Sequence, residues 1–220
     1  MLHNENDKTA VISIAGTRPV AKDWASLAKI NYKHWRETAL FKNLPGAVHT
    51  GMYKKIKNAW DSLRFRSLME KLIKGDYTIV ISGHSQGGGH AGILAGQLHY
   101  YAKNHIKHQE PYYLQVLTFG SVRVGDKKFA KYVSENIKYI TRVRHKMDAA
   151  PAYPPPGAFS HVGKRMLFSC LHTPLHCHKS DRYLKNFRHK MGTTSIVQPG
   201  QVKKNCKGTC WNGKKCLIIH

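Results

Sequence analysis

Residues 77–98 read YTIVISGHSQGGGHAGILAGQL, and this stretch decides the fold. Tyr77 to Ser82 are strand formers. Gly83-His84-Ser85-Gln86-Gly87 follows, and then a segment rich in small residues that predicts a helix from Gly88 to about His105. A serine framed by two glycines where a strand turns into a helix is the nucleophile-elbow pattern. The turn is so tight that side chains at its flanks would strike the backbone, and Gly83 and Gly87 answer that need. Ser85 then sits at a helix N-terminus, where free N–H groups and the helix dipole favour developing negative charge. Gly88, Gly89, Ala91, Gly92, Ala95 and Gly96 let the helix pack close to a sheet. The pentapeptide alone also arises by chance, as a glycine-rich turn with an idle serine. The β-rich run before it and the small-residue helix after it favour the elbow.

Outward from the elbow, β-like and helix-like segments alternate. AVISIA (10–15) predicts a buried strand, LQVLTF (114–119) a third strand after 77–82, residues 139–143 a fourth and residues 165–170 a fifth. Met52, Ile56, Ala59, Leu63, Leu68, Met69 and Leu72 predict one long amphipathic helix ended by Gly75. Lys22 to Trp35 looks helical, with Trp24, Leu27, Ile30 and Trp35 as apolar contacts. Further helices are predicted around Phe129–Val133, closing near Asn136, and from Ser180 to Arg188. NLPGAVHTG (43–51) reads as loop, as does the proline-rich DAAPAYPPPGAF (148–159). Alternation of this kind predicts a mostly parallel central sheet with helices on both faces. Such sheets carry their chemistry at the carboxyl ends of the strands, where Ser85 falls. The predicted organisation is one domain over residues 1–191, followed by an irregular basic tail over 192–220.

Composition bounds the rest. With 220 residues, 41% apolar and 22% charged, the chain is globular and can bury a real core. No apolar run approaches the ~20 residues of a membrane helix. The first residues, MLHNENDKTAVISIAG, lack a basic-then-apolar signal pattern. The expectation is a cytoplasmic protein, or a secreted one whose leader is absent. The charge is strongly positive, with 36 Lys and Arg against 12 Asp and Glu. From Lys164 to His220 twelve basic residues face a single acid, Asp181. That balance suggests an anionic partner or surface; the plainer reading is solubility. All five cysteines, Cys170, Cys177, Cys206, Cys210 and Cys216, lie near the C-terminus. An odd count cannot pair completely within one chain. Cys206, Cys210, Cys216 and His220 could hold zinc, but a disulfide staple is the simpler reading.

A serine hydroxyl needs a histidine base, and the base needs a carboxylate to set its tautomer. In folds with this elbow the chain order is serine, acid, histidine. Asp148 is the first acid after the fourth strand, and only Asp181 follows it. The histidines beyond it are His161, His172, His176, His178, His189 and His220. Most must be bland; His178 stands on a loop just before a helix, a position from which a ring can swing over the elbow.

AGTRPVAKDW, VHTGMY, YTIVISGHSQGG, TFGSVRVGDKKFAKY, RVRHKMDAAPAYPP and FSHVG occur in that order over roughly residues 10 to 185. Together they resemble the class 3 lipases, the fungal-type triacylglycerol lipases of the α/β-hydrolase fold. The resemblance implies an N-terminally shortened α/β-hydrolase fold, Ser85 as nucleophile and Asp148 as its acid. It also implies that the base is the histidine of a late His-x-x-x-x-Tyr segment, here His178 with Tyr183. His161 falls on a position that is usually not catalytic. The oxyanion donors would be Thr17 and the backbone N–H of Gln86, and the segment around Trp24 would be a lid. Gln86 stands where the family commonly has leucine, and Val122 where it has proline. Strands that precede AVISIAG in larger members are largely absent, and the basic tail has no recognised counterpart.

The expected activity is therefore hydrolysis of carboxylic esters of lipids, triacylglycerol or phospholipid, through an acyl-enzyme, with no cofactor and no metal. The substrate would be met at an interface, with an anionic membrane surface as a further partner and nucleic acid disfavoured. The rival readings are an esterase for short or aromatic acyl groups, and an inactive hydrolase scaffold that binds polyanions through its tail.

Overall fold

The computed structural model of the chain describes residues 1–16, 32–34, 41–106 and 113–191. In chain order the described elements are β1 (Leu2–Asn4), β2 (Thr9–Ile14), β3 (Tyr32–His34), β4 (Ala47–His49), α1 (Thr50–Asp61), α2 (Leu63–Lys74), β5 (Thr78–His84), α3 (Gln86–His105), β6 (Leu114–Phe119), α4 (Lys127–Asn136), β7 (Tyr139–His145), β8 (Lys164–Phe168), α5 (Pro174–Cys177) and α6 (Ser180–Met191). Six strands form one sheet in the order β1-β2-β5-β6-β7-β8. Every pairing from β2 to β8 is parallel, and β1 adds an antiparallel edge. This is the mostly parallel sheet expected from the alternation of segments, and it agrees with the α/β-hydrolase fold that the resemblance implies.

Period-2 alternation sends the side chains of each strand to two faces. Ile12, Ile14, Ile79, Ile81, Leu114, Val116 and Ile140 enter the main core with the helical side chains of α1 to α4. The opposite face of β6 to β8 is covered by α6: Val143, Phe168 and Tyr183 pack there with Leu117, Phe119, Met166 and Phe187. Each fully buried aliphatic or aromatic side chain of these clusters contributes roughly 1.5–3 kcal/mol. α3 runs through the middle of the main core and is buried along most of its length, which explains why it carries no polar face.

Several expectations are corrected. The stripe from Met52 to Leu72 is two helices, broken at Ser62 in extended conformation. The stripe changes phase there: α1 buries Met52, Tyr53, Ile56 and Trp60, and α2 buries Phe65, Met69, Leu72 and Ile73. Leu63, which the single stripe required inside, is 70% exposed. Within the segment expected to be helical from Lys22 to Trp35, residues 32–34 are a strand; most of that segment lies outside the described residues. β3 pairs with β4, which falls within the stretch read as loop. His49 in β4 caps α1 by accepting from the Gly51 N–H at 3.1 Å. The tail over 192–220, with Cys206, Cys210, Cys216 and His220, lies outside the described residues.

Candidate active site

The elbow is built by backbone crowding. β5 delivers Ser85 with φ 59° and ψ −128°, a conformation that side-chain-bearing residues rarely adopt. A Cβ on Gly83 would lie 2.2 Å from the Gly87 carbonyl oxygen, and one on Gly87 2.3 Å from the Ile14 carbonyl oxygen. Neither position accepts a side chain. The Ser85 N–H donates to Phe119 O at 2.9 Å, and the Gly120 N–H donates to Val143 O at 2.9 Å. The carboxyl ends of β5, β6 and β7 are thereby laced together under the site.

Three side chains meet there. Ser85 Oγ lies 2.8 Å from His178 Nε2, and His178 Nδ1 lies 2.9 Å from Asp148 Oδ2. With Nδ1–H donating to the carboxylate, Nε2 is left as the acceptor for the serine hydroxyl. Asp148 is buried. Its Oδ2 also accepts from the Tyr183 hydroxyl at 2.6 Å, and its Oδ1 from the Ala150 N–H at 2.9 Å. Burial opposes ionisation of Asp148. The hydrogen bonds from His178 and Tyr183, the charge of His178 and the Ala150 N–H outweigh burial and hold the carboxyl below its ordinary value.

His178 is clamped from behind. His84 Nε2–H donates to His178 O at 2.7 Å, and burial followed by the proximity of His178 lowers His84 to about 4, so it stays a neutral donor. His145 Nδ1–H donates to Cys177 O at 2.6 Å, and Asn186 Nδ2 donates to His145 Nε2 at 3.0 Å. The His145 ring stacks on Tyr183 with centroids 3.9 Å apart, while the His145 N–H donates to the Tyr183 hydroxyl at 2.9 Å. A disulfide joins Cys170 to Cys177, one residue before His178. Gly120 has φ +55°, and a Cβ there would sit 2.7 Å from Asp148 Oδ2 and 3.1 Å from His178 Nδ1.

The structure thus brings Ser85, Asp148 and His178 together. His161 instead donates Nε2–H to Pro151 O at 2.9 Å, and burial with the charge of Arg142 lowers it to about 3. Gln86 begins α3 and is buried. Val122 is buried too, and it faces Gly89. Thr17 and the segment around Trp24 lie outside the described residues. The clamp of His84, His145 and Asn186, and the space reserved by Gly120, were missed in the sequence. One signal was available there: Cys177 is adjacent to His178, and a bridge closing on it would fix that loop. A serine hydroxyl at a helix N-terminus, on a half-buried histidine backed by a buried aspartate, is equipped for nucleophilic attack and proton transfer.

Residues 11–158 match the family described as Lipase (class 3). The chain is 33% identical over 129 residues to a lipase of Rhizopus niveus, covering 56% of this chain and 31% of that protein. It is 26% identical over 148 residues to the secreted mono- and diacylglycerol lipase 1 of Fusarium solani, covering 67% and 40%. Among solved structures, lipase II from Rhizopus niveus superposes with a TM-score of 0.52 at 26% identity, covering 66% of this chain and 52% of that one. The chain spans less than half the length of either curated relative.

Proposed function

The chain belongs to the class 3 lipase family, and from that premise we propose that it is a serine hydrolase that cleaves carboxylic esters of lipids, with Ser85 as nucleophile, His178 as base and Asp148 as the acid that orients it. The observation that carries the reading is the run of hydrogen bonds from Ser85 Oγ through both nitrogens of His178 to Asp148.

The chemistry follows from that order of donors and acceptors. His178 Nε2 takes the Ser85 proton as Oγ bonds to the ester carbonyl carbon. The imidazolium is stabilised by Asp148, which remains ionised. Charge on the carbonyl oxygen is met by the N-terminal end of α3, with the Gln86 N–H and Thr17 as the donors assigned to it. Collapse breaks the bond to the alcohol oxygen, which takes the proton from His178. Water then repeats the sequence on the acyl-Ser85 ester and releases the acid.

Lipid rather than soluble substrates are favoured by the rim. Leu171, between β8 and α5, and Leu175, on α5 just before His178, are 93% and 79% exposed, a placement suited to contact with an apolar interface. The Cys170–Cys177 bridge favours an oxidising compartment, as does the secreted Fusarium relative. No described helix is long and apolar enough to cross a membrane. The test is hydrolysis of a chain-length series of chromogenic esters and of emulsified triacylglycerol, with Ser85→Ala as control. The expected result is activity on long chains that rises when the substrate forms an interface. Turnover of short soluble esters alone would overturn the lipid assignment and leave an esterase.

A further inference from the structure

On the core-side face of β7, beyond Ile140, stand two arginines where apolar residues would be expected. Arg142 and Arg144 share that face by the two-residue period of the strand. Arg142 is directly paired in register with Arg165 of the parallel strand β8, so two like charges face each other across neighbouring strands, an arrangement that destabilises a sheet. The third side is closed by the segment after Asp148. Arg144 donates to Asp148 O at 3.5 Å, His161 to Pro151 O at 2.9 Å, and Arg123 to Pro154 O at 2.6 Å and to Ala152 O. One stretch of seven residues therefore gathers three of these side chains beside Arg142.

Arg142 is the anomaly. It is only 8% exposed, and its Nε has no hydrogen-bond partner. The carbonyl groups of 148–154 account for Arg123 and part of Arg144, but not for Arg142, and Arg144 Nε is also unpartnered. Among the described residues no carboxylate forms an ion pair with any of the four. Asp148, the nearest acid in sequence, spends its carboxylate on His178, Tyr183 and Ala150. Burial and then the neighbouring arginines Arg165, Arg144 and Arg123 push Arg142 down to about 10. A buried guanidinium surrounded by three others and by no acid is costly unless an anion joins it.

We propose that Arg123, Arg142, Arg144 and Arg165 form a binding site for a phosphate-type oxyanion, distinct from the Ser85 site. Planar guanidinium forks converge best on a group with several anionic oxygens, and phosphate is such a group. Arg142 is the floor of the site. Arg123 and Arg144 are half-buried walls, and the exposed Arg165 is its open edge. The ion would neutralise the like-charge pair between β7 and β8 and so stabilise the folded chain.

The test uses the full chain carrying Ser85→Ala, so that no hydrolysis intervenes and failure says nothing about the ester-cleaving site. Thermal unfolding is followed while inorganic phosphate replaces chloride at constant ionic strength. The expected result is a saturable rise in Tm. Arg165→Gln, an exposed change that leaves the fold intact, should weaken the apparent affinity by about tenfold or more. Arg142→Met should abolish the response, and Lys131→Gln, remote from the cluster, should leave it unchanged. A second arm compares vesicles of phosphatidylcholine alone with vesicles that also contain phosphatidic acid. Retention on the latter that needs Arg165 and is displaced by free phosphate identifies a lipid headgroup as the source. A phosphate response without such retention identifies the free ion. Phosphate that stabilises no better than chloride, or an Arg165→Gln protein that responds as the parent does, would overturn the site.

Discussion

Ser85 and His178 sit 2.8 Å apart, yet the two are held by opposite means. Ser85 is held by backbone: a strand, a helix and glycines within residues 78 to 105, packed against the main chain of Ile14 and Phe119. His178 stands on a short connection between a four-residue helix and α6. It is held by side chains from distant parts of the chain: His84, Asp148, His145 acting through Cys177, and the bridge from Cys170. One half of the site therefore depends on steric exclusion and the other on hydrogen bonds and a covalent tie. The two halves should fail in different ways.

The largest expected effect removes either partner outright. Ser85→Ala and His178→Ala should each lower kcat on a soluble ester by on the order of 10⁴ or more, because serine and base act as a unit. His161→Ala and His176→Ala should change it only a few-fold. A comparable loss in either of those two variants would show that another histidine is the base.

Next is steric failure on the Ser85 side. In Gly87→Ala the new Cβ meets the Ile14 carbonyl oxygen at 2.3 Å, where backbone cannot yield. The expected cost is about 3 kcal/mol or more, seen as a large drop in Tm or loss of folded protein. A variant that folds with parental Tm would break the comparison at its stronger end.

The same contrast explains what could be read in advance. The elbow and the strand at Leu114–Phe119 depend on neighbours in sequence, and local patterns expose them; the parallel sheet follows from the alternation of such segments along the chain. Ser62 splits a predicted helix because the buried stripe changes phase, which period counting over a long window blurs. β1, β3 and β4 are three residues each, too short for alternation to register. The clamp on His178 was invisible for a different reason. His145 contacts Cys177 across 32 positions and Asn186 across 41, and no spacing rule links them. Tyr183 entered only through the family resemblance, and its contact with both Asp148 and His145 is a tertiary fact.

A smaller effect should come from the covalent tie. The bridge closes a sequence separation of 7, for which chain entropy gives about 2.5 kcal/mol. Reduction, or Cys170→Ser with Cys177→Ser, should lower Tm correspondingly and reduce kcat on a soluble ester. Labelling of Ser85 by a small electrophile should persist more slowly. Unchanged kcat in the reduced, folded protein would show that the histidine clamps suffice.

The smallest effect is that of Tyr183→Phe. Asp148 keeps two of its three donors, and the His145 N–H loses the hydroxyl it donates to, so the loss should be about 2 kcal/mol. The direction with pH is definite. Asp148 is held below its unfolded value, so its ionisation contributes stability that is present above that value and is lost as pH falls through the folded one. Without the Tyr183 hydroxyl the folded value rises, and acid unfolding should begin at higher pH. Coincident acid limbs for parent and variant would refute this role.

The most direct test of the central claim, that His178 activates Ser85, is covalent labelling with a fluorophosphonate, followed by peptide mass mapping. The account predicts a single adduct on Ser85, formed orders of magnitude more slowly in folded His178→Ala. An adduct on another serine, or equal labelling rates in the two proteins, would contradict it.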